Sequence, residues 1–210
     1  MLGKTHIAVG TTLATVTAAT VGVEITPTFL IAASIGSLFP DIDHPKGMLN
    51  QKILPVHDGI MKSTMYGAIA FSIIYLGKGK IDLLMIGLLV PLLIAIAISK
   101  HRGIMHSLLC LLWCGLILLL TNKLYGINIT IPFELGVISH ILLDMFNPQG
   151  VELLWPLNKK IKFPLYINTG GIIENTLMFI FSIALGIFAY KEININSVIN
   201  NLREYFMNII

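Results

Sequence analysis

The ionisable groups of this chain gather in four places: His6; Asp41, Asp43 and His44 between Pro40 and Pro45; His101, Arg102 and His106; and His140 with Asp144. Imidazoles and carboxylates together form a donor set suited to zinc, manganese or iron. In or beside apolar helices such groups are costly unless they pair or coordinate a cation. His140 and Asp144 are four apart, which on a helix stacks them on one face within reach of one ion, although a plain His–Asp hydrogen bond has the same spacing. Pro40 and Pro45 stop the preceding helix and fix an extended turn, so Asp41, Asp43 and His44 are presented on a rigid corner. Three such groups on one turn favour a metal over a solvated charge cluster.

His101 and His106 are five apart across Arg102 and Gly103, so only a bent or capped helix start aims both inward. His106 opens the next apolar run and is the better ligand, while His101 reads equally as a neighbour of the ligands or a substrate contact. Arg102 offers a permanently charged fork suited to phosphate oxygens, or it is simply a basic residue flanking a membrane segment. Glu174 is the only acid in the last apolar segment and follows Gly170 and Gly171. It reads as a functional intramembrane carboxylate or, if the helix starts later, as an acid favoured near a helix N-terminus. His57 and Asp58 carry no spacing signal. The two cysteines, Cys110 and Cys114, sit in an apolar run as small hydrophobes, which argues against a structural zinc finger, an iron–sulfur site or a disulfide framework. So many ligands are better explained by two ions than by one.

The elements that must position these groups are apolar helices. With 55% hydrophobic and 12% charged residues over 210 positions, and a mean hydropathy of +0.83, the chain is far from a soluble domain, and its length leaves no room for a separate one. The expected fold is all-α, a polytopic membrane helical bundle. Seven apolar segments stand out, at about 7–22, 26–39, 65–77, 81–98, 104–120, 131–146 and 172–190, of which 26–39 and 65–77 are short for a full span. The expected organisation is a membrane-embedded domain over 1–190 and an amphipathic tail helix over 191–210, with Ile195, Ile199, Leu202, Phe206 and Ile209 on one stripe. With the N-terminus in the cytoplasm, nine of the fourteen Lys and Arg residues fall inside, together with nearly all of the His/Asp-rich segments. Trp155 beside Pro156, with Lys159, Lys160 and Lys162, reads as an interfacial anchor. The basic residues form no run and are not interleaved with aromatics, which speaks against nucleic-acid binding. No internal repeat suggests a transporter built of inverted halves.

Taken together, Thr5-His6, Pro40-Asp41-Ile42-Asp43-His44-Pro45, His101-Arg102-Gly103-x-x-His106-Ser107, Ser139-His140-Ile141-Leu142-x-Asp144-x-x-x-Pro148 and Leu154-Trp155-Pro156 resemble the YdjM-like family of bacterial inner-membrane proteins. That resemblance implies a metal-dependent hydrolase. More distantly, the order Thr-His, Asp flanked by Pro, His-x-x-x-Asp followed by Asn and Pro, then Glu-Asn is similar to zinc-dependent phospholipase C and the related P1-type nucleases. It implies an all-helical, phospholipase C-like metal site with His6, Asp41, His140, Asp144 and Glu174 as ligands and His106 or His101 as a further imidazole. The chain departs from the phospholipases in offering Gly170 and Gly171 where they have another histidine, and in lacking their N-terminal tryptophan, so two ions fit better than three.

The expected function is a membrane-bound hydrolase in which divalent ions, zinc first and manganese second, activate water against a phosphoester. Arg102 neutralises developing charge and Asp43 or Glu174 accepts the proton. A site at the cytoplasmic membrane surface makes membrane lipids the natural partners and a lipid phosphoester the natural substrate. The competing readings are a metal transporter or sensor using the same ligands, and a scaffold whose polar cluster only ties helices together.

Overall fold

The computed structural model describes residues 1–53 and 56–192, so the amphipathic stripe read in the tail lies outside the described residues. Eight helices are described: α1 (Gly3–Val21), α2 (Pro27–Leu38), α3 (Met48–Ile53), α4 (Gly59–Gly77), α5 (Leu83–Ile98), α6 (Leu108–Tyr125), α7 (Thr130–Met145) and α8 (Ile172–Glu192). The fold is the all-α helical bundle expected, with one isolated bridge, between Val151 and Ile161, and no strand among the described residues. Two short 3-10 turns, Phe39–Asp43 and Ile104–His106, join α2 to α3 and lead into α6.

Local chemistry explains where the helices start. Thr26 accepts from the Phe29 N–H with Pro27 at the first helical position, Asp58 from Met61, Asp82 from Leu84 and Met85, and Ser107 from Cys110. Each cap satisfies N–H groups that have no partner within their own helix. The Asp58 cap corrects the expected segment 65–77, because α4 begins six residues earlier and carries Lys62, Ser63 and Thr64 into the helix. The charge at Lys62 had broken the apolar run on paper; in space its side chain is buried.

Three helices, α4, α6 and Ile172–Tyr190 of α8, are long and apolar enough to cross a membrane, and α5 is a shorter apolar helix. Their outward residues, such as Leu112, Leu116, Phe71 and Phe179, are more than half exposed, as a lipid-facing surface requires. The inner layer is α1, α2 and α7. α2 packs most extensively against α7, and α1 lies against α2, α7 and α8. Twelve-residue α2, short for a full span, buries the face carrying Phe29, Ala32, Ala33, Gly36 and Ser37 and leaves Ile31 and Ile35 exposed.

Small residues permit this close packing. A Cβ on Gly36 would stand 2.1 Å from the Phe133 carbonyl oxygen, and one on Gly136 would stand 2.4 Å from that of Ala33. Helices in lipid associate through such backbone approach rather than through expulsion of water. The threonines of α1 are accommodated because Thr15 donates to its own helix at Thr11, and the single Thr12 hydroxyl proton is shared between the carbonyls of Ala8 at 2.7 Å and Phe181 on α8 at 2.9 Å.

Leaving α3 aside, the helices alternate in direction. The starts of α1, α4, α6 and α8 and the ends of α2, α5 and α7 therefore meet at one end of the bundle. We expect Gly136→Ala and Gly36→Ala each to cost about 1–3 kcal/mol, because backbone must move to admit the methyl. Gly87→Ala, whose Cβ meets nothing within 4 Å, should leave stability within about 0.5 kcal/mol. Thermal melts in detergent check the contrast.

Candidate metal centre

At the end where these termini meet, α7 presents His140 and Asp144 one turn apart, the turn after α2 presents Asp41, and the turn before α6 presents His106. Their donor atoms lie within 4.8 Å of one another. His106 Nε2 is 3.6 Å from both Asp41 Oδ1 and Asp144 Oδ2, while His140 Nε2 is 3.5 Å from Asp41 Oδ1 and 3.9 Å from Asp144 Oδ2. These separations exceed those of a good hydrogen bond. Four donors about 2.1 Å from a tetrahedral ion stand roughly 3.4 Å apart, close to what is seen.

The orphaned atoms test the fit. His140 Nδ1 lies 2.7 Å from the Ser37 carbonyl oxygen and must donate to it. That bond fixes the tautomer and leaves Nε2 as a bare lone pair facing two carboxylates. His140 Nε2 and both nitrogens of His106 are buried without a hydrogen-bond partner. A divalent cation would supply what these lone pairs and carboxylates lack, so the residues could hold a metal ion.

Asp43 stands behind this group. One of its oxygens is 3.0 Å from His101 Nδ1, and the other accepts the Arg102 N–H at 3.1 Å and lies 3.5 Å from His106 Nδ1. Asp41, Asp43 and His101 form a second set of potential ligands that shares Asp41 with the first. Arg102 adopts φ +66°, a region unusual for a side chain other than glycine. The strained backbone turns its guanidinium inward, where Nη1 donates to Asn147 Oδ1 at 2.8 Å and Nε lies 3.4 Å from Asp144 Oδ2.

His6 sits one step outside the four-donor group. It stacks on His140 at 3.8 Å, its Nε2 is 3.5 Å from Asp144 Oδ1, and both of its nitrogens are buried without a partner. The structure does not bring His44 and Glu174 into either group. His44 Nδ1 accepts the Lys46 N–H at 3.1 Å, and its ring packs edge-on against His101. Glu174 is buried, but its two oxygens accept the N–H groups of Leu2 and Gly170. It thus pins the start of α1 to the loop before α8.

Three residues not singled out from sequence complete the support. Lys62 donates to the carbonyls of Asp43 at 2.9 Å and Ser99 at 2.8 Å, joining the two segments that carry Asp41 and His101. Tyr66 donates to Asn50 at 2.6 Å, and Asn50 donates to the carbonyls of Ile42 and His44. A lone lysine in an otherwise apolar helix was the available signal for the first, since such residues mark paired or functional positions.

Electrostatics follow from the geometry. Burial alone would raise the pKa of Asp41, yet the imidazoles of His140 and His106 facing it hold it well below the usual carboxylate range. Burial alone would lower His106, but Asp144, Asp41 and Asp43 outweigh it and raise it well above 6.5.

A family model described as YdjM inner membrane protein matches residues 1–203. The chain belongs to the YdjM inner membrane protein family. Among its relatives, YvsG of Bacillus subtilis (strain 168) is 26% identical over 179 residues, covering 85% of this chain and 88% of YvsG. The inner membrane protein YdjM of Escherichia coli (strain K12) is 28% identical over 143 residues, covering 67% of this chain, and a YdjM of Shigella flexneri matches to the same extent. The chain spans 55% of the length of these two YdjM proteins. No solved structure matches.

Two outcomes are expected of this YdjM-family centre. Lys62→Met should leave two carbonyls without their donor, lowering stability by about 2–3 kcal/mol and zinc affinity by about 10-fold, as melts and competitive chelation would show. A proton on His106 competes with an ion, so zinc affinity should weaken by up to about 10-fold per pH unit as pH falls below His106's raised pKa, with proton release on binding. Calorimetry in buffers of different protonation heat reads both, and an affinity independent of pH would contradict the assignment of His106.

Proposed function

We propose that this YdjM-family protein is a membrane-embedded, metal-dependent hydrolase of a lipid-like phosphoester. The observation that carries the reading is the buried group of Asp41, His106, His140 and Asp144, with donors at 3.5–3.9 Å, beside an open cavity of about 470 Å³ that Arg102, Asp41 and Asp144 line.

These four residues would hold an ion. His6, both of whose nitrogens are buried without a partner, is a further donor facing the Asp144 oxygen that accepts from the Met1 amine at 3.1 Å, and we assign two ions to the centre on the ground of that imidazole. Zinc is the first choice and manganese the second; such ions, when bound, act as Lewis acids and lower the pKa of water. The chain's own residues do the rest. Arg102, held at Nη1 by Asn147, turns the remainder of its fork toward phosphate oxygens. Asp43 accepts from His101 Nδ1 and so leaves His101 Nε2 to take a proton from water, a carboxylate orienting an imidazole base. This moves the proton-accepting role to His101 from Asp43 and Glu174, whose oxygens are already engaged.

The likeness to phospholipase C in the order of the motifs supports the reaction class. The site lies at the bundle end shared by the nine basic residues assigned to the inside, which supports a cytoplasmic location for the N-terminus and the centre. A site at a membrane surface favours a phosphoester presented by lipid.

The test is elemental analysis of detergent-purified protein together with phospholipid hydrolysis. Wild type should carry one to two equivalents of zinc or manganese, and His140→Ala and Asp144→Ala should lose metal and lower turnover by about 100-fold or more. Folded protein that stays metal-free after reloading with either ion overturns the proposal. Bound metal without turnover of any phosphoester would favour the transporter or sensor reading.

A further inference from the structure

The cavity beside the metal centre has a mouth as well as a floor. Its lining carries four cationic side chains: Lys4, Lys46 and Lys52, which are exposed, and Arg102, which is 7% exposed. The acids in the lining are Asp41 and Asp144, and both already belong to the four-donor group. With those two committed, and Asp144 also facing Arg102 and the Met1 amine, no acid among the described lining residues is left to oppose the three exposed lysines.

His44 adds a fifth element. Its Nδ1 accepts the Lys46 N–H at 3.1 Å, so in the neutral ring the proton resides on Nε2, which is a donor. The imidazole placed by sequence among the metal ligands thus becomes a hydrogen-bond donor on the cavity wall. On the floor, Arg102 Nε faces Asp144 Oδ2 at 3.4 Å and Nη1 donates to Asn147, which leaves Nη2 of its fork for an incoming anion. The mouth itself is fixed in place. Asn50 ties α3, which carries Lys52, to the carbonyls of Ile42 and His44, and the Lys46 backbone is tied to His44.

The pattern discriminates between headgroups. A quaternary ammonium group is recognised by aromatic faces, and no Phe, Tyr or Trp lines this cavity among the described residues. An amine headgroup needs a free carboxylate, and both are taken. Clustered lysines and an arginine fork instead suit phosphate oxygens carrying more than one charge.

We propose that the cavity mouth, lined by Lys4, Lys46, Lys52 and His44 together with Arg102, is a subsite for a terminal phosphomonoester rather than a choline or ethanolamine headgroup. The proposal rests on the hydrolase reading of the adjacent centre and names the class of substrate it takes. The subsite makes the local potential positive and raises both the affinity and the arrival rate of a dianion.

Calorimetry on the zinc-loaded protein in detergent tests it with three probes: dioctanoyl phosphatidate, dioctanoyl phosphatidylcholine and glycerol 3-phosphate. Phosphatidate should bind about 10-fold or more tightly than phosphatidylcholine, and Lys46→Gln with Lys52→Gln should remove that preference while zinc content stays unchanged. Phosphatidate binding more tightly than glycerol 3-phosphate assigns the phosphomonoester to a lipid; equal affinity assigns it to a soluble ester, and both support the subsite. Equal binding of phosphatidate and phosphatidylcholine, or a double variant that keeps the preference, overturns it. Hydrolysis of phosphatidylcholine under those conditions would leave the hydrolase reading standing, whereas a metal-free wild type would remove that reading on its own evidence.

Discussion

Two desolvated carboxylates and three imidazoles face one another at the end of this bundle, and that confrontation is the constraint on which the surrounding structure depends. Asp41 is largely and Asp144 almost wholly removed from solvent. Taking such charges out of water is expensive unless opposite charge and hydrogen bonds compensate. Arg102 offsets part of the cost, and Asp43 keeps His101 and the Arg102 backbone in place. The His140 tautomer set by Ser37 places a lone pair where a proton would otherwise have been an easy remedy. What remains unbalanced has the shape and donor set of a cation site.

The packing of the inner helices serves the same end. Gly36 and Gly136 let α2 and α7 meet backbone to backbone, and this close approach brings the Ser37 carbonyl onto His140 and the Asp41 turn onto Asp144. A few ångströms of separation would break both relations at once, because the groups involved sit at the very ends of their helices. The left-handed backbone at Arg102 is held from two sides, by Asp43 accepting its N–H and by Glu152 donating to its carbonyl. Strain of this kind persists where its surroundings over-determine it.

Much of this was legible from residue types. The seven helical segments were visible because long apolar runs are interrupted by loops with turn chemistry, and the donor set was visible because ionisable groups are conspicuous in a chain so poor in charge. Three things were not legible. The short α3, Met48–Ile53, has no apolar run long enough to show. The start of α4 was hidden by Lys62, since a periodicity reading treats a lysine as a boundary and has no view of the two carbonyls that receive it. His44 and Glu174 looked equivalent to Asp41 and His140, because spacing along the chain does not show which backbone N–H folds back to occupy a side-chain acceptor. Sequence exposes the supply of ligands; tertiary structure decides which lone pairs remain vacant.

The donors of the four-membered group and its neighbour His6 are spread from position 6 to position 144, on α1, α7 and the turns after α2 and before α6. No helical hairpin contains a complete set. A growing chain that enters the bilayer from its N-terminus therefore carries isolated, proton-satisfied histidines and aspartates until α7 arrives and closes the group. The complete donor group is in this sense a report on assembly, and a bundle that has not finished inserting has no such group to offer an ion.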